Sequence, residues 1–348
     1  MAERVTMKEV AEQAGVSQAT VSLSLANHPR IPPETRSRIQ AVAEKLGYQT
    51  NPYVAALMRS RRRGKPLPGR PVLAVICPQD RPDGWRTAPG HTMRQALEAA
   101  LRQAAARGYE GQEVWLHKDD MSNERFSAML RARGIQGLLL GPLPPDEPPP
   151  TLRWDFFSVV RVGVPLHALP LRAVCHDHFY GSMTAVQECL RLGYRRPGLL
   201  LLNAHNANLQ HRWEAGFRSA VEAVPAAQRL APLVCERWPE PKALKEWLHR
   251  RRPDVIITPD HETVGRALAA AGCAVPGDLG LVSLACPEAD GRITGIYQDG
   301  RLIGSSAADM LIDLVERHER GYPAHGTALM IEGRWVPGQL VRRVAAGA

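Results

Sequence analysis

The sequence predicts an all-α helix-turn-helix headpiece followed by an α/β region of two lobes, each built on a doubly wound parallel sheet. Three observations carry that reading. Three short helical patterns crowd into the first 46 residues, with a glycine between the first two. Beyond residue 71, apolar runs of strand length alternate with helical stretches, and the alternation starts afresh near residue 182. The charge is lopsided: residues 1–70 hold 12 Lys/Arg against 5 Glu, which is +7 of the chain's +9.

Thr6-Met7-Lys8-Glu9 opens the first helix as a capping box, with a hydroxyl at the N-cap and a Glu three residues on. Val10, Ala11 and Ala14 form its apolar stripe. Gly15 supplies the turn, and Ser17 caps a second helix from which Val21 and Leu25 point inward. The third helix runs from Pro33 to Leu46, with Ile39, Val42, Ala43 and Leu46 as its stripe. The other face of the second helix carries Gln18, Ala19, Thr20 and Ser22. In a helix-turn-helix unit such a face enters the major groove, where Gln meets adenine edges, Ser and Thr meet phosphates or bases, and Ala leaves room for a thymine methyl. A small bundle with a solvated polar face fits the same pattern. The concentration of positive charge, including Arg61-Arg62-Arg63-Gly64-Lys65, favours the phosphate-meeting alternative.

The Pro-, Gly- and Arg-rich stretch 65–71 reads as a linker. After it, "PVLAVICP", "GQEVWLH", "GLLLGPL" and "FFSVVRVG" are strands, with helices over Thr92 to Arg107 and "RFSAMLRARG". The second half repeats the scheme: a helix from Ser182 to Leu192, "RRPGLLLL" as a strand, "RWEAGFRSAVEA" as a helix, then "DVIITPD", "TVGRALAAAG" and "LGLVSLAC". Unbroken apolar runs are what parallel strands covered on both faces look like. "PLPPDEPPPTLR" is a surface loop.

Composition narrows the classes. No opening apolar stretch resembles a signal peptide and no uncharged apolar run could span a bilayer, which points to the cytoplasm. Six scattered cysteines form no C-x-x-C pair, so neither zinc nor a disulfide framework is expected. There is no G-x-G-x-x-G after a strand, no P-loop, no G-x-S-x-G elbow and no H-E-x-x-H, so no enzyme class is suggested and no cofactor is expected. "CHDHF" places His176 and His178 two apart, on one face if they share a strand, but a metal site is not the favoured reading.

"VTMKEVAEQAGVSQATVS", "NHPRIPPETRSRIQAVAEKLGY" and "NPYVAALM" strongly resemble the headpiece of the lactose-repressor (LacI/GalR) family of bacterial transcription regulators. The later segments "HDHFYGSMTAVQECLRLGYRRPGLL", "RPDVIITPDHETVGRALAAAGCAVPGDLGLVSLA" and "ITGIYQDGRLIGSSAADMLIDLV" resemble its effector domain, which is similar to periplasmic sugar-binding proteins. "HRWEAGFRSA" is similar to the family's Arg-x-x-Gly-Phe segment. The resemblance implies a headpiece over residues 1–50, a hinge helix and linker over 51–70, and a bilobed periplasmic-binding-protein-like domain over 71–348 that dimerises and binds an effector. It implies DNA contacts from Thr6, Ser17, Gln18, Ala19, Thr20, Ser22, Leu23, Asn27, His28, Arg30, Tyr48 and Asn51, with Leu57 levered into the minor groove. Leu23 stands where many members carry a polar base reader; Thr50 and Val54 depart from the hinge pattern.

Ligands of open α/β sheets bind beyond the strand carboxyl ends, where Asp80, Trp85, His117, Asp177, Asn206, Asn208, Arg212 and Asp260 are the effector candidates. Ala285 takes the place of the family's hydroxyl-chelating Asp, and Pro259 that of the Asn before Asp260. The expectation is a dimeric repressor of a pseudopalindromic operator, tuned by a small effector such as an acidic or modified sugar. The alternative is a DNA-binding regulator whose second domain only dimerises.

Overall fold

A computed structural model of the chain describes residues 6–25, 31–46, 48, 70–87, 91–117, 121–144, 148–166 and 168–344. Two compact units divide the chain, residues 1–70 and 71–348.

The first unit contains α1 (Met7–Ala14), α2 (Gln18–Leu25) and α3 (Pro33–Lys45). The capping box forms: the Glu9 N–H donates to the Thr6 hydroxyl, and the Thr6 N–H donates to the Glu9 carboxylate. Gly15 ends α1 at φ 64°, a left-handed conformation that costs a glycine almost nothing. Ser17 Oγ accepts the Thr20 N–H at 3.2 Å and so covers an orphan donor of α2. Val10, Ala11, Ala14, Val21, Ile39 and Ala43 make the core, with Leu25, Val42, Leu46 and Tyr48 packed on it. Side chains of α3 then tie the bundle: Arg38 donates to the Ala14 carbonyl at 2.9 Å and Gln40 to the Ser24 carbonyl at 3.2 Å, satisfying carbonyls that α1 and α2 leave open.

The second unit has two six-stranded sheets. The first has the order β11-β5-β4-β3-β1-β2, with β1 Val72–Cys77, β2 Glu110–Trp115, β3 Gly137–Leu140, β4 Ser158–Val162, β5 Arg172–His176 and β11 Ala328–Ile331, all parallel. The second has the order β12-β10-β9-β8-β6-β7, with β6 Pro197–Leu202, β7 Leu233–Cys235, β8 Val255–Thr258, β9 Gly280–Cys286, β10 Gly295–Tyr297 and β12 Arg334–Val336. Its edge strand β12 runs antiparallel to β10, a departure from the all-parallel expectation. The helices are α4 (Gly84–Thr87), α5 (Thr92–Ala106), α6 (Asn123–Ala132), α7 (His178–Arg191), α8 (Asn203–Asn208), α9 (Arg212–Ala220), α10 (Pro241–Arg251), α11 (His261–Ala270) and α12 (Gly300–Glu316).

Local chemistry sets several boundaries. Asp177 caps α7 through the Tyr180 N–H at 3.0 Å, which moves its start four residues ahead of the expected Ser182. Strand β5 escaped the sequence reading because its apolar core is only three residues long between Arg172 and His176. Helix α10 escaped because only Leu244 and Trp247 are buried in a run of charges. In the first lobe α12 lies on α5 so closely that a Cβ on Gly304 would collide with the Ala96 carbonyl oxygen. Phe126, Leu130, Leu138, Leu140 and Phe157 fill the other face of that sheet. Around the second sheet, Phe217, Val186, Leu199 and Val282 form one layer and Leu244, Ile256 and Leu268 the other.

The chain passes between the lobes three times. It leaves the first sheet at the carboxyl end of β5 and enters α7; it leaves the second at the end of β10 and enters α12; it returns from β11 to β12. The carboxyl ends of the two sheets therefore face one another, and the loops that follow them line the gap.

Candidate functional site

On the first unit the candidate surface is the outer face of α2. Ser17, Gln18 and Ala19 are exposed, and Thr20, Ser22 and Leu23 are half-exposed. Val21 and Ser24 are buried, so the helix turns its predicted reading residues outward for a structural reason. The Thr20 and Ser17 hydroxyls sit 2.9 Å apart, which fixes the orientation of the first turn. Thr6 is exposed and occupied with its cap. Tyr48 packs on the headpiece core, and burial pushes its phenol pKa up. Asn27, His28, Arg30, Asn51 and Leu57 lie outside the described residues.

In the second unit the candidate residues fall into three groups. Around the ends of β1 and β2, Asp80 is exposed and His117 donates from Nε2 to the Pro78 carbonyl at 3.0 Å. Trp85 is 2% exposed, with its indole N–H bonded to the Ile76 carbonyl at 3.0 Å and its ring against Gly141. That geometry gives Trp85 to packing, where a sugar face has no access in this structure.

At the first crossover, the rings of His176 and His178 stand 5.0 Å apart, edge to face, and Trp213 stands 5.2 Å from His178. The two histidines do not share a strand face, because His176 ends β5 and His178 begins α7. Burial pushes His176 down to about 4 and holds His178 well below the usual histidine value. Asp177 is spent on the α7 cap. Arg212 begins α9, draws the pKa values of His178 and Cys175 down, and directs Nη1 at the Met330 sulfur at 3.9 Å. Its spacing needs correction: three residues, not two, separate Arg212 from Gly216, so buried Trp213 holds the register that an Arg-x-x-Gly motif gives to arginine. One residue of slip turns a side chain about 100° around a helix. Asn206 is 1% exposed and donates inward, to His211 at 3.0 Å and Glu214 at 2.8 Å. Asn208 is half-buried.

The third group sits at the ends of β8 and β9. Asp260 caps α11 through the Thr263 N–H at 2.9 Å. His261 Nδ1 lies 3.1 Å from Ser283 Oγ, and burial lowers its pKa; His91, across from it on the first lobe, adds in the same direction. His205 is lowered by burial against the opposing pull of Asp260. Rim contacts join the lobes: Thr92 donates to Gln298 at 3.1 Å, Gln95 donates to the Pro287 carbonyl at 2.9 Å, and Arg301 pairs with Glu288 at 2.9 Å.

Sequence reasoning missed His91, His205, His261 and Arg161. The signal for Arg161 was available: it is the one charged residue in the apolar strand "FFSVVRVG", at a position where a parallel strand is covered on both faces. It is 2% exposed, and burial pushes it down to about 10.

Residues 6–51 match the profile for bacterial regulatory proteins of the lacI family, and residues 186–339 match a periplasmic-binding-protein-like domain. The transcriptional regulator CelR of Thermobifida fusca is 24% identical over 90% of this chain and 92% of its own length. The transcriptional regulator PtxS of Pseudomonas plecoglossicida is 48% identical over 40% of this chain, a stretch that spans only 37% of PtxS. PtxS of Pseudomonas putida shows the same coverage at 32% identity. Among solved structures, a CelR–cellobiose complex has a TM-score of 0.60 at 21% identity, covering 97% of this chain and all of that one. The lac repressor dimer bound to operator and the anti-inducer ONPF has a TM-score of 0.56 at 18% identity, covering 98% and 100%.

Proposed function

We propose that the chain is a DNA-binding transcriptional regulator of the lacI family of bacterial regulatory proteins, a cytoplasmic, non-enzymatic repressor that binds a pseudopalindromic operator as a homodimer and releases it in response to a small effector held between the lobes of the second unit. The observation that carries the DNA half is the outward polar face of α2, held by the three-helix core, in a stretch of sequence (residues 1–70) that carries +7 of the chain's net +9. Phosphate attraction supplies affinity there, and Gln18 and its neighbours supply base discrimination. The facing carboxyl ends of two sheets support the effector half. With Ala285 and Pro259 in place of two polar groups, a plain hexose would gain few bonds, which favours an acidic or modified sugar that Arg212 can engage.

The test has two arms. DNA selected from a random pool by the purified chain should be a two-fold site bound with a steep salt dependence; equal affinity for random DNA would overturn the reading. A metabolite screen should find a ligand that weakens that binding. If the second unit only dimerises, no metabolite will shift it.

A further inference from the structure

Arg161 presents a problem of physical chemistry. A guanidinium removed from water is strongly disfavoured unless a carboxylate meets it. Arg161 lies in β4, in the middle of the first sheet, at 2% exposure. No carboxylate pairs with it among the described residues; its one hydrogen bond is from Nη1 to the Val164 carbonyl just past the strand end, and its Nε has no partner. Gly163 lies beside the guanidinium, where a Cβ would stand 3.5 Å from Nη2 in ordinary van der Waals contact.

A second guanidinium repeats the pattern from the other lobe. Arg212 has no ion pair among the described residues, and its Nε is also buried and unpartnered. Strand register brings the two together: Arg161 pairs with Ala173 across β4 and β5, two residues before Cys175 on the same face, and Arg212 Nη1 lies 3.9 Å from the sulfur of Met330, which pairs with Cys175 across β5 and β11. In keeping with that placement, each guanidinium draws the Cys175 thiol pKa down, against the larger effect of burial. Cys175 is the penultimate residue of β5, on the strand that leads into the first crossover. Two unpaired positive charges therefore meet one spot at the facing carboxyl ends, one from each lobe. Further polar atoms beside it lack partners, among them His176 Nε2, His178 Nδ1 and Trp213 Nε1.

We propose that Arg161 and Arg212 form a two-arginine receptor for an oxyanion, a carboxylate or phosphate carried on a small polyhydroxylated effector. This rests on the effector reading above and deepens it, because it adds Arg161 as a specificity-determining residue from the first lobe. Arginine presents paired N–H donors that match either oxyanion. An anion held from both lobes binds the closed arrangement better than the open one, and that difference in affinity lets an effector shift an equilibrium.

The experiment uses the full chain, with thermal shift and calorimetry against gluconate, galacturonate, glucose 6-phosphate and glucose. Wild type is expected to bind at least one anionic probe and to ignore glucose; the carboxylate and phosphate probes separate the two sources of oxyanion. Arg161→Met is expected to raise the melting temperature of the unliganded chain, since it removes an unpaired buried charge. It should also weaken the anionic probe by roughly 10- to 100-fold, the range for a hydrogen bond to a charged group. Arg161→Lys should recover part of the loss, and Arg212→Met should show the same loss without depending on how Arg161 variants fold. An arginine that merely braced the Val164 loop would give the opposite pattern, with lower stability and unchanged binding. If glucose binds wild type as well as any acid does, or if Arg161→Met binds the anion as wild type does, the two-arginine receptor is wrong while the effector reading stands. If no anionic probe binds wild type, the receptor is also wrong, and the metabolite screen decides the effector reading separately.

Discussion

Mild acid should destabilise the second unit, and His176 should carry an identifiable share of the loss. His176 is 2% exposed at the end of β5, where its Nδ1–H donates to the Ile331 carbonyl at 3.0 Å and Gly181, Gly333 and Ile296 crowd its ring. Its pKa is pushed down by burial to about 4, against 6.5 for an unperturbed histidine. Between those values the unfolded chain binds a proton that the folded chain refuses, so stability falls as pH falls. The contribution is whole above about 6.5, is lost progressively toward pH 4, and levels off below that. From pH 7 to pH 5 the loss works out at about 2 kcal/mol for this one residue. His178, His205 and His261 are depressed as well and add in the same direction. The lowered carboxylates Glu9, Glu214, Glu288 and Asp290 act only nearer their own range, below about pH 4.5, outside this window. The perturbation is His176→Asn, whose amide can keep the bond to the Ile331 carbonyl but cannot titrate. Urea unfolding at pH 7, 6 and 5, followed by circular dichroism, should show the variant less stable at pH 7 through lost packing, yet with a drop about 2 kcal/mol smaller than wild type's by pH 5. An equal drop in both proteins would refute the reasoning.

Three further outcomes are expected. Gln18→Ala should weaken binding to the selected operator by about 1–3 kcal/mol while leaving random-DNA binding unchanged, as read by fluorescence anisotropy; a uniform loss on all sequences would make Gln18 a phosphate contact instead. Leu57→Ala should reduce both specific affinity and DNA bending in a circular-permutation gel assay, because the family resemblance makes it the minor-groove wedge; unchanged bending would mean that Thr50 and Val54 have already abolished insertion. Gly304→Ala should cost about 1–3 kcal/mol despite alanine's better helix propensity, because its methyl meets the Ala96 backbone between α5 and α12. Thermal unfolding checks this, and an unchanged or raised melting temperature would show that the two helices separate freely.

The sequence by itself determined what depends on neighbours along the chain. The capping box at Thr6 and Glu9, the turn at Gly15 and the apolar stripes of α1 to α3 need only contacts three or four residues apart, and the structure reproduces them. The apolar strands were legible because burial on both faces leaves no room for polar alternation. Strand β11 was not legible, since its place beside β5, after α12, is a long-range pairing that no local pattern encodes. The site divides in the same way. Residue type and position along the strands pointed to Asp177 and Asp260, but only the folded chain shows both carboxylates already occupied as helix caps. Trp85 and Asn206 were plausible ligand contacts in one dimension and turn inward in three. Arg161 shows the difference most plainly. Its charge could be read from the sequence, but its burial, its missing carboxylate and its shared field with Arg212 come from strands and helices distant in the chain. A guanidinium's energy is set by what surrounds it in space, and those surroundings exist only once both sheets have assembled.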